Sequence, residues 1–148
     1  MLVPKEKIME LLPQRPPMVM VDELVMCNEM EAVSRLFIRD DNIFLGETGF
    51  SPSGMLEAMA QTAAARTGYL LKKQPESAHK SIPVGVIGSI KNFKLHFQPG
   101  SGDTIFTTVF VEHEVLQATV IRAKVEVEGR LSAESTLQIF LSEEQAKP

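Results

Sequence analysis

The feature that most constrains this chain is a long segment, residues 54–71, that is apolar around almost its whole circumference. Charged or amide side chains interrupt it only at Glu57, Gln61 and Arg66. A helix of this kind is buried inside a structure and does not lie on a surface. A single buried helix needs a sheet curved around it, so the segment predicts an α+β fold.

Both ends of this helix carry recognisable signals. Ser51 or Ser53 can cap its start, since a serine oxygen accepts hydrogen bonds from the first free N–H groups. Lys72 and Lys73 suit the negative end of the helix dipole, and Pro75 ends the helix.

Strand patterns lie on both sides of the helix. Residues 40–53, directly before it, have no periodicity, which is typical of a functional loop. Gly85 and Gly88 predict bulges or bends in the strand that follows the helix. The other predicted elements are a short helix at 5–12, a hairpin of 18–26 and 32–39, and strands at 82–97, 104–112, 117–128 and 131–141.

Composition excludes several classes of protein. The 148 residues suit one domain, 1–148, and 44% hydrophobic residues provide a core. A net charge of −4 argues against a nucleic-acid binder. Cys27, the single cysteine, excludes an internal disulfide and a multi-cysteine metal site. No apolar run reaches membrane-spanning length and no export leader is visible, so we expect no membrane, no metal and a cytoplasmic location.

Three stretches resemble one family, the hotdog-fold 3-hydroxyacyl-[acyl carrier protein] dehydratases. Residues 12–22, Leu-Pro-Gln-Arg-Pro-Pro-Met-Val-Met-Val-Asp, are similar to the opening of that family. Residues 57–61, Glu-Ala-Met-Ala-Gln, match its central-helix motif, and residues 84–103 resemble its strand and Pro-Gly-Asp turn. The resemblance implies a hotdog dimer whose antiparallel sheets wrap the long helices. It also implies acyl chains carried on phosphopantetheine, from acyl carrier protein or coenzyme A, and no other cofactor.

The loop before the helix departs from this family. The family carries Gly-His-Phe-Pro there, and its His is the catalytic base. Residues 42–52 read Asn-Ile-Phe-Leu-Gly-Glu-Thr-Gly-Phe-Ser-Pro and contain no His. Gly54 also lies closer to Glu57 than the family's glycine does, and Gln14 replaces the His of the opening motif.

Glu57 is the candidate catalytic acid. In an apolar helix its pKa is expected to rise by burial, which would keep it protonated, whereas its alternative role is to face the helix dipole. Gly54 and Met55 are expected to offer free N–H groups to a thioester oxygen. Gln61, one turn beyond Glu57, could hydrogen-bond Glu57 or satisfy the core.

The histidines and the cysteine are weaker candidates for the missing base. His79 and His113 lie in charged or polar segments typical of solvated surfaces. His96 alternates with apolar residues on a strand, so it could face an acyl tunnel or solvent. Cys27 has no neighbouring His to activate it.

Basic residues near the end of the helix and in the following strand are candidates for docking an acidic carrier protein. The alternative is that they are ordinary charged residues on the surface. They are Arg66, Lys72, Lys73, Lys91 and Lys94.

Three functions follow. The first is a dehydratase-like lyase with Glu57 as acid and an altered base. The second is a non-catalytic or half-site subunit that binds acyl chains or pairs with an active dehydratase in a mixed dimer. The third is a hotdog thioesterase, against which the opening and helix motifs weigh.

Overall fold

The computed structural model, which describes residues 2–74 and 84–142, has an antiparallel sheet curved around one long helix. The elements are a 3-10 helix (Ile8–Leu11), β1 (Glu23–Cys27), β2 (Glu31–Phe37), β3 (Leu45–Gly46), β4 (Gly49–Phe50), α1 (Pro52–Lys73), β5 (Val84–Leu95), β6 (Thr104–Val115), β7 (Ala118–Val127) and β8 (Arg130–Ser142).

The long helix, α1, contacts all six strands of the curved sheet, whose order is β1-β2-β6-β7-β8-β5. This is the predicted α+β hotdog architecture.

The start of α1 is capped by one of the two serines that the sequence predicts as caps. Ser51 is the N-cap, and its side chain accepts a hydrogen bond from the Gly54 N–H at 3.2 Å. Pro52 follows at a position where a missing N–H costs nothing. The helix is buried on several faces, as its sequence predicts, and Ala58, Met59 and Ala65 have no exposed surface.

The sheet supplies the other half of the core. Predicted alternation on β7 is confirmed, since Ile121, Ala123 and Val125 are buried and the residues between them are more exposed. Leu137 and Ile139 of β8 lie on the same inner face. Strands β7 and β8 therefore each present one apolar row to α1.

Glycine positions shape the strands where the backbone is crowded or turned. Gly129 has φ +79° in the tight β7–β8 turn. The predicted bulge at Gly88 is confirmed by a register shift between Ile87 and Ser89. A Cβ at Gly88 would lie 2.2 Å from the Phe140 ring. Gly85 pairs in regular register, so no bulge forms there.

The segment before β1 differs from the prediction. Residues 18–22, predicted as part of a strand, are outside β1 because the Gln61 side chain takes the N–H of Met20 and the carbonyl of Met18. The predicted helix at 5–12 shrinks to Ile8–Leu11. Its turn is closed by i→i−3 bonds such as the one from Glu10 N–H to Lys7 oxygen.

The loop before α1 is packed against the helix start. Residues 40–53 contain the small β3–β4 hairpin, which the sequence does not predict. Phe50 is fully buried, and its N–H donates to the Pro99 carbonyl at 2.7 Å. Phe44 is partly buried against the same core. Gly54 leaves the space that these two rings occupy.

We expect Gly54→Ala to destabilise the protein. Its Cβ would lie 2.6 Å from the Phe50 ring and 2.7 Å from the Phe44 Cβ. Overpacking of this kind lowers the free energy of unfolding by about 1–3 kcal/mol. The higher helix propensity of alanine raises it by at most about 1 kcal/mol. Urea denaturation measures the net loss. Gly46→Ala is the control, because its nearest heavy atom is 3.8 Å away. Equal stabilities of the two variants would contradict this account.

Candidate active site

The site is built around a hydrogen bond between Glu57 and Gln61, one turn apart on α1. Gln61 Nε2 donates to Glu57 Oε2 at 2.8 Å. Gln61 has no exposed surface, whereas Glu57 is half-buried, so one carboxyl group lies at the boundary between core and surface. The arrangement can present an oriented carboxyl group to a ligand.

Gln61 also binds the backbone of the segment before β1. Its Oε1 accepts from the Met20 N–H at 2.6 Å, and its Nε2 donates to the Met18 carbonyl at 2.8 Å. Both alternatives stated for Gln61, a bond to Glu57 and satisfaction of the core, are therefore confirmed. The sequence did not identify the backbone groups of Met18 and Met20 as partners of Gln61. Hydrophobic periodicity predicts helices and strands, but it gives no signal for a backbone segment that hydrogen-bonds a side chain.

The N–H groups at Gly54 and Met55 are not free. The Gly54 N–H donates to the Ser51 side chain, and the Met55 N–H donates to the Ser51 carbonyl at 3.1 Å. Capping thus uses the donors that were expected to face a thioester oxygen. The expectation of free N–H groups at these two residues is wrong, and their role in substrate binding stays a prediction.

No histidine among the described residues reaches Glu57. His96 Nε2 lies 3.0 Å from Glu134 Oε2. Glu134 is between Ala133 and Ser135, which face the core, so it lies on the outer face of the sheet. His96 is on that same face, not in an acyl tunnel inside this protomer, and its predicted role in substrate binding has no support from its position.

The other candidate nucleophiles and bases that the structure describes are His113 and Cys27, and neither contacts Glu57. His113 is exposed on β6, and His79 lies outside the described residues. Burial raises the pKa of the Cys27 thiol above its ordinary value, although Arg66 and Lys73 act in the opposite direction. A raised thiol pKa leaves little thiolate at neutral pH. No three potential metal ligands cluster within residues 2–74 and 84–142.

Arg66 is a structural residue and not part of an exposed basic rim. Its side chain is only 5% exposed. Its guanidinium donates to the Glu29 carbonyl at 2.6 Å and pairs with Glu114 at 3.4 Å. This corrects the prediction that Arg66 docks a carrier protein. The other four predicted docking residues are exposed; they are Lys72, Lys73, Lys91 and Lys94.

An apolar cavity of about 380 Å³ lies beside the Met18–Met20 segment, with Val19 and Met20 in its wall. Glu57 is not among its lining residues. The cavity is therefore separate from the carboxyl group of the candidate site. Within the described part of the chain, no helix combines the length and hydropathy needed to cross a bilayer.

Comparison with known proteins identifies relatives over nearly the whole chain. A family described as ApeP-like, ApeP dehydratase, matches residues 6–147. The 3-hydroxyacyl-[acyl-carrier-protein] dehydratase FabZ of Streptococcus thermophilus is 35% identical over 136 residues, which cover 88% of this chain and 91% of that protein.

Solved structures share the fold. The dehydratase heterocomplex ApeI:P from Xenorhabdus doucetiae aligns with a TM-score of 0.77 and 14% identity, covering 91% of this chain and 90% of that one. A hypothetical thioesterase with coenzyme A from Streptococcus pneumoniae aligns with a TM-score of 0.63 and 12% identity, covering 84% and 88%. At these identities the likeness shows a common hotdog fold.

We expect Arg66→Ala to lower the free energy of unfolding by about 2–4 kcal/mol, because it empties buried space and leaves the Glu29 carbonyl without its donor. Lys72→Ala, at an exposed position on the same helix, is expected to change it by less than about 0.5 kcal/mol. Chemical denaturation of both variants tests this difference. If the Arg66→Ala protein were as stable as the Lys72→Ala protein, the structural role of Arg66 would be contradicted.

Proposed function

Because this chain belongs to the ApeP-like dehydratase family, we propose that it supplies one half of a 3-hydroxyacyl thioester dehydratase site. Its half is the carboxyl group of Glu57. The other half is a histidine from a partner subunit of the same fold, in a mixed dimer. The observation that carries this proposal is a carboxyl group oriented by Gln61 beside a loop that has aromatic residues and no His.

Dehydration requires two groups, one that acts at C2 and one that acts at the hydroxyl group on C3. A base removes the C2 proton, the C2=C3 double bond forms, and the C3–O bond breaks as an acid protonates the hydroxyl, which leaves as water. Glu57 is the acid in this scheme. It is regenerated when the proton held by the base returns to it through solvent.

The loop explains why the chain supplies only the acid. Ile43 is 48% exposed, whereas Phe44 and Phe50 pack inward against the helix start. These contacts use the two aromatic side chains for packing, and Asn42 Oδ1 accepts a hydrogen bond from the Phe44 N–H. Residues 42–52 contain no His, so in this proposal the base comes from another chain.

The proposed substrate is an acyl chain carried as a thioester on phosphopantetheine, and acyl carrier protein is the proposed carrier. The curated relatives are named for this substrate class. Exposed lysines at the end of α1 and along β5 suit an acidic carrier, and coenzyme A thioesters are the alternative. A cytoplasmic location fits such a carrier and a chain with one cysteine.

The edge strand β5 is the proposed dimer contact. It ends the sheet order, so one side of its backbone has no strand partner in the described residues. Ile90 and Leu95 pair with the buried residues Leu137 and Ala133, yet they are 46% and 43% exposed. Since paired residues share a face, the inner face of the sheet extends beyond the cover that α1 provides. A second subunit would bury it.

We expect Ile90→Asp to raise the dimer dissociation constant by about 100-fold or more, because an unpaired carboxylate would be buried in the contact. Light scattering at micromolar concentration measures the change. Leu116→Asp is the control, since Leu116 is 98% exposed at the β6–β7 turn, away from this edge. A wild-type chain that is monomeric under these conditions would refute the contact.

We expect a mixed dimer with a His-bearing dehydratase to convert 3-hydroxyacyl-ACP to the enoyl product, and Glu57→Gln to reduce its rate by about 10²–10⁴-fold. The two chains carry different tags, and tandem purification removes both homodimers. Mass spectrometry follows the loss of one water from the acyl group.

The controls separate the half-site from its alternatives. This chain alone is expected to be slow, by the same factor as loss of a general base. His96→Ala in the mixed dimer is expected to keep the wild-type rate. An unchanged rate with Glu57→Gln would make the chain a non-catalytic subunit, and ordinary turnover by the homodimer would show that it holds its own base.

A further inference from the structure

The orientation of the Gln61 amide is determined by two backbone groups of fixed chemistry. The Met20 N–H can only donate, so the atom 2.6 Å from it is the Gln61 oxygen. The Met18 carbonyl can only accept, so the atom 2.8 Å from it is the Gln61 nitrogen. The two contacts agree and exclude the flipped amide.

This orientation determines what Gln61 offers to Glu57. One N–H of Nε2 is used by the Met18 carbonyl, and the other points to Glu57 Oε2 at 2.8 Å. Glu57 Oε2 is therefore an acceptor. When Glu57 carries the proton that the proposed acid role requires, its carbonyl oxygen is the better acceptor, so the geometry assigns that proton to Oε1.

We infer that Gln61 is a positioning residue that holds the Glu57 carboxyl with Oε2 as acceptor and Oε1 as the proton-bearing oxygen. This inference rests on the proposed function, in which Glu57 is the acid. Among the described residues, no protein group hydrogen-bonds Glu57 Oε1, so that oxygen is the one available to a substrate hydroxyl.

The same contacts tie the acid to the chain before β1. A surface Gln–Glu pair one turn apart on a helix is mobile and worth only tenths of a kcal/mol. Here Gln61 is buried and anchored at Met18 and Met20, so its N–H has one direction. Glu57 therefore receives its orientation from two backbone groups about forty residues away along the sequence.

The test is Gln61→Met in the purified mixed dimer, with Gln61→Glu as a second variant of nearly the same shape. We expect kcat to fall about threefold to tenfold, the effect of losing a hydrogen bond between neutral groups. KM should change by less than about threefold, because Gln61 does not contact the acyl chain in this scheme. Rates are normalised to the folded fraction from circular dichroism.

Thr62→Val is the matched control. Thr62 is the next residue of α1, is fully buried, and hydrogen-bonds Ser34 and the Ala58 carbonyl without touching Glu57. It should lower stability, as Gln61→Met does, while kcat stays within about twofold of wild type. Equal kcat values for Gln61→Met, Thr62→Val and wild type would overturn the inference and leave the proposed function intact.

A second measurement does not require turnover. In ¹⁵N NMR spectra of this chain alone, the Gln61 side-chain NH₂ signal is assigned by its loss in Gln61→Glu. We expect it to exchange slowly with solvent and to shift on Glu57→Leu. If the Gln61 signal shifts on Glu57→Leu but the wild-type mixed dimer is inactive, only the proposed function is refuted. If the Gln61 signal does not shift on Glu57→Leu, the contact between Gln61 and Glu57 is refuted, and the inference with it.

Discussion

Burial of α1 on nearly all sides is the constraint on which the rest of the structure depends. A helix with an apolar circumference cannot be covered by one flat layer, so the sheet has to curve around it. The inner rows of β6, β7 and β8 supply that cover, with Ile105, Ile121 and Leu137 fully buried. The loop rings Phe44 and Phe50 close the helix start, where only a glycine leaves them space.

The polar groups on this apolar helix acquire specific functions because burial leaves them few partners. Arg66 stabilises the contact between α1 and the β1–β2 turn through the Glu29 carbonyl. Gln61 binds the backbone of Met18 and Met20 and also Glu57. Buried polar groups must be hydrogen-bonded, so each becomes a fixed point of the structure. Glu57 is the one carboxyl group on α1, and it is half-buried.

The open edge at β5 and the loop without a histidine have the same consequence. Ile90 and Leu95 extend the inner face of the sheet beyond α1, and the loop supplies packing residues in place of a base. In the proposed function, a single protomer is incomplete both as a surface and as a site. A second subunit that covers the edge would also bring the base.

The sequence by itself determined the fold class, the long buried helix and the alternation on β7, and it limited the helix cap to Ser51 or Ser53 and placed Glu57 and Gln61 one turn apart. These features depend on local periodicity, capping and spacing on one helix, which are properties of neighbouring residues. Only the tertiary structure decided that β1 begins at Glu23, that Arg66 is buried and that His96 lies on the outer face. Each of these depends on which distant group fills a hydrogen bond or covers a side chain, and such contacts between residues far apart leave no pattern in the sequence.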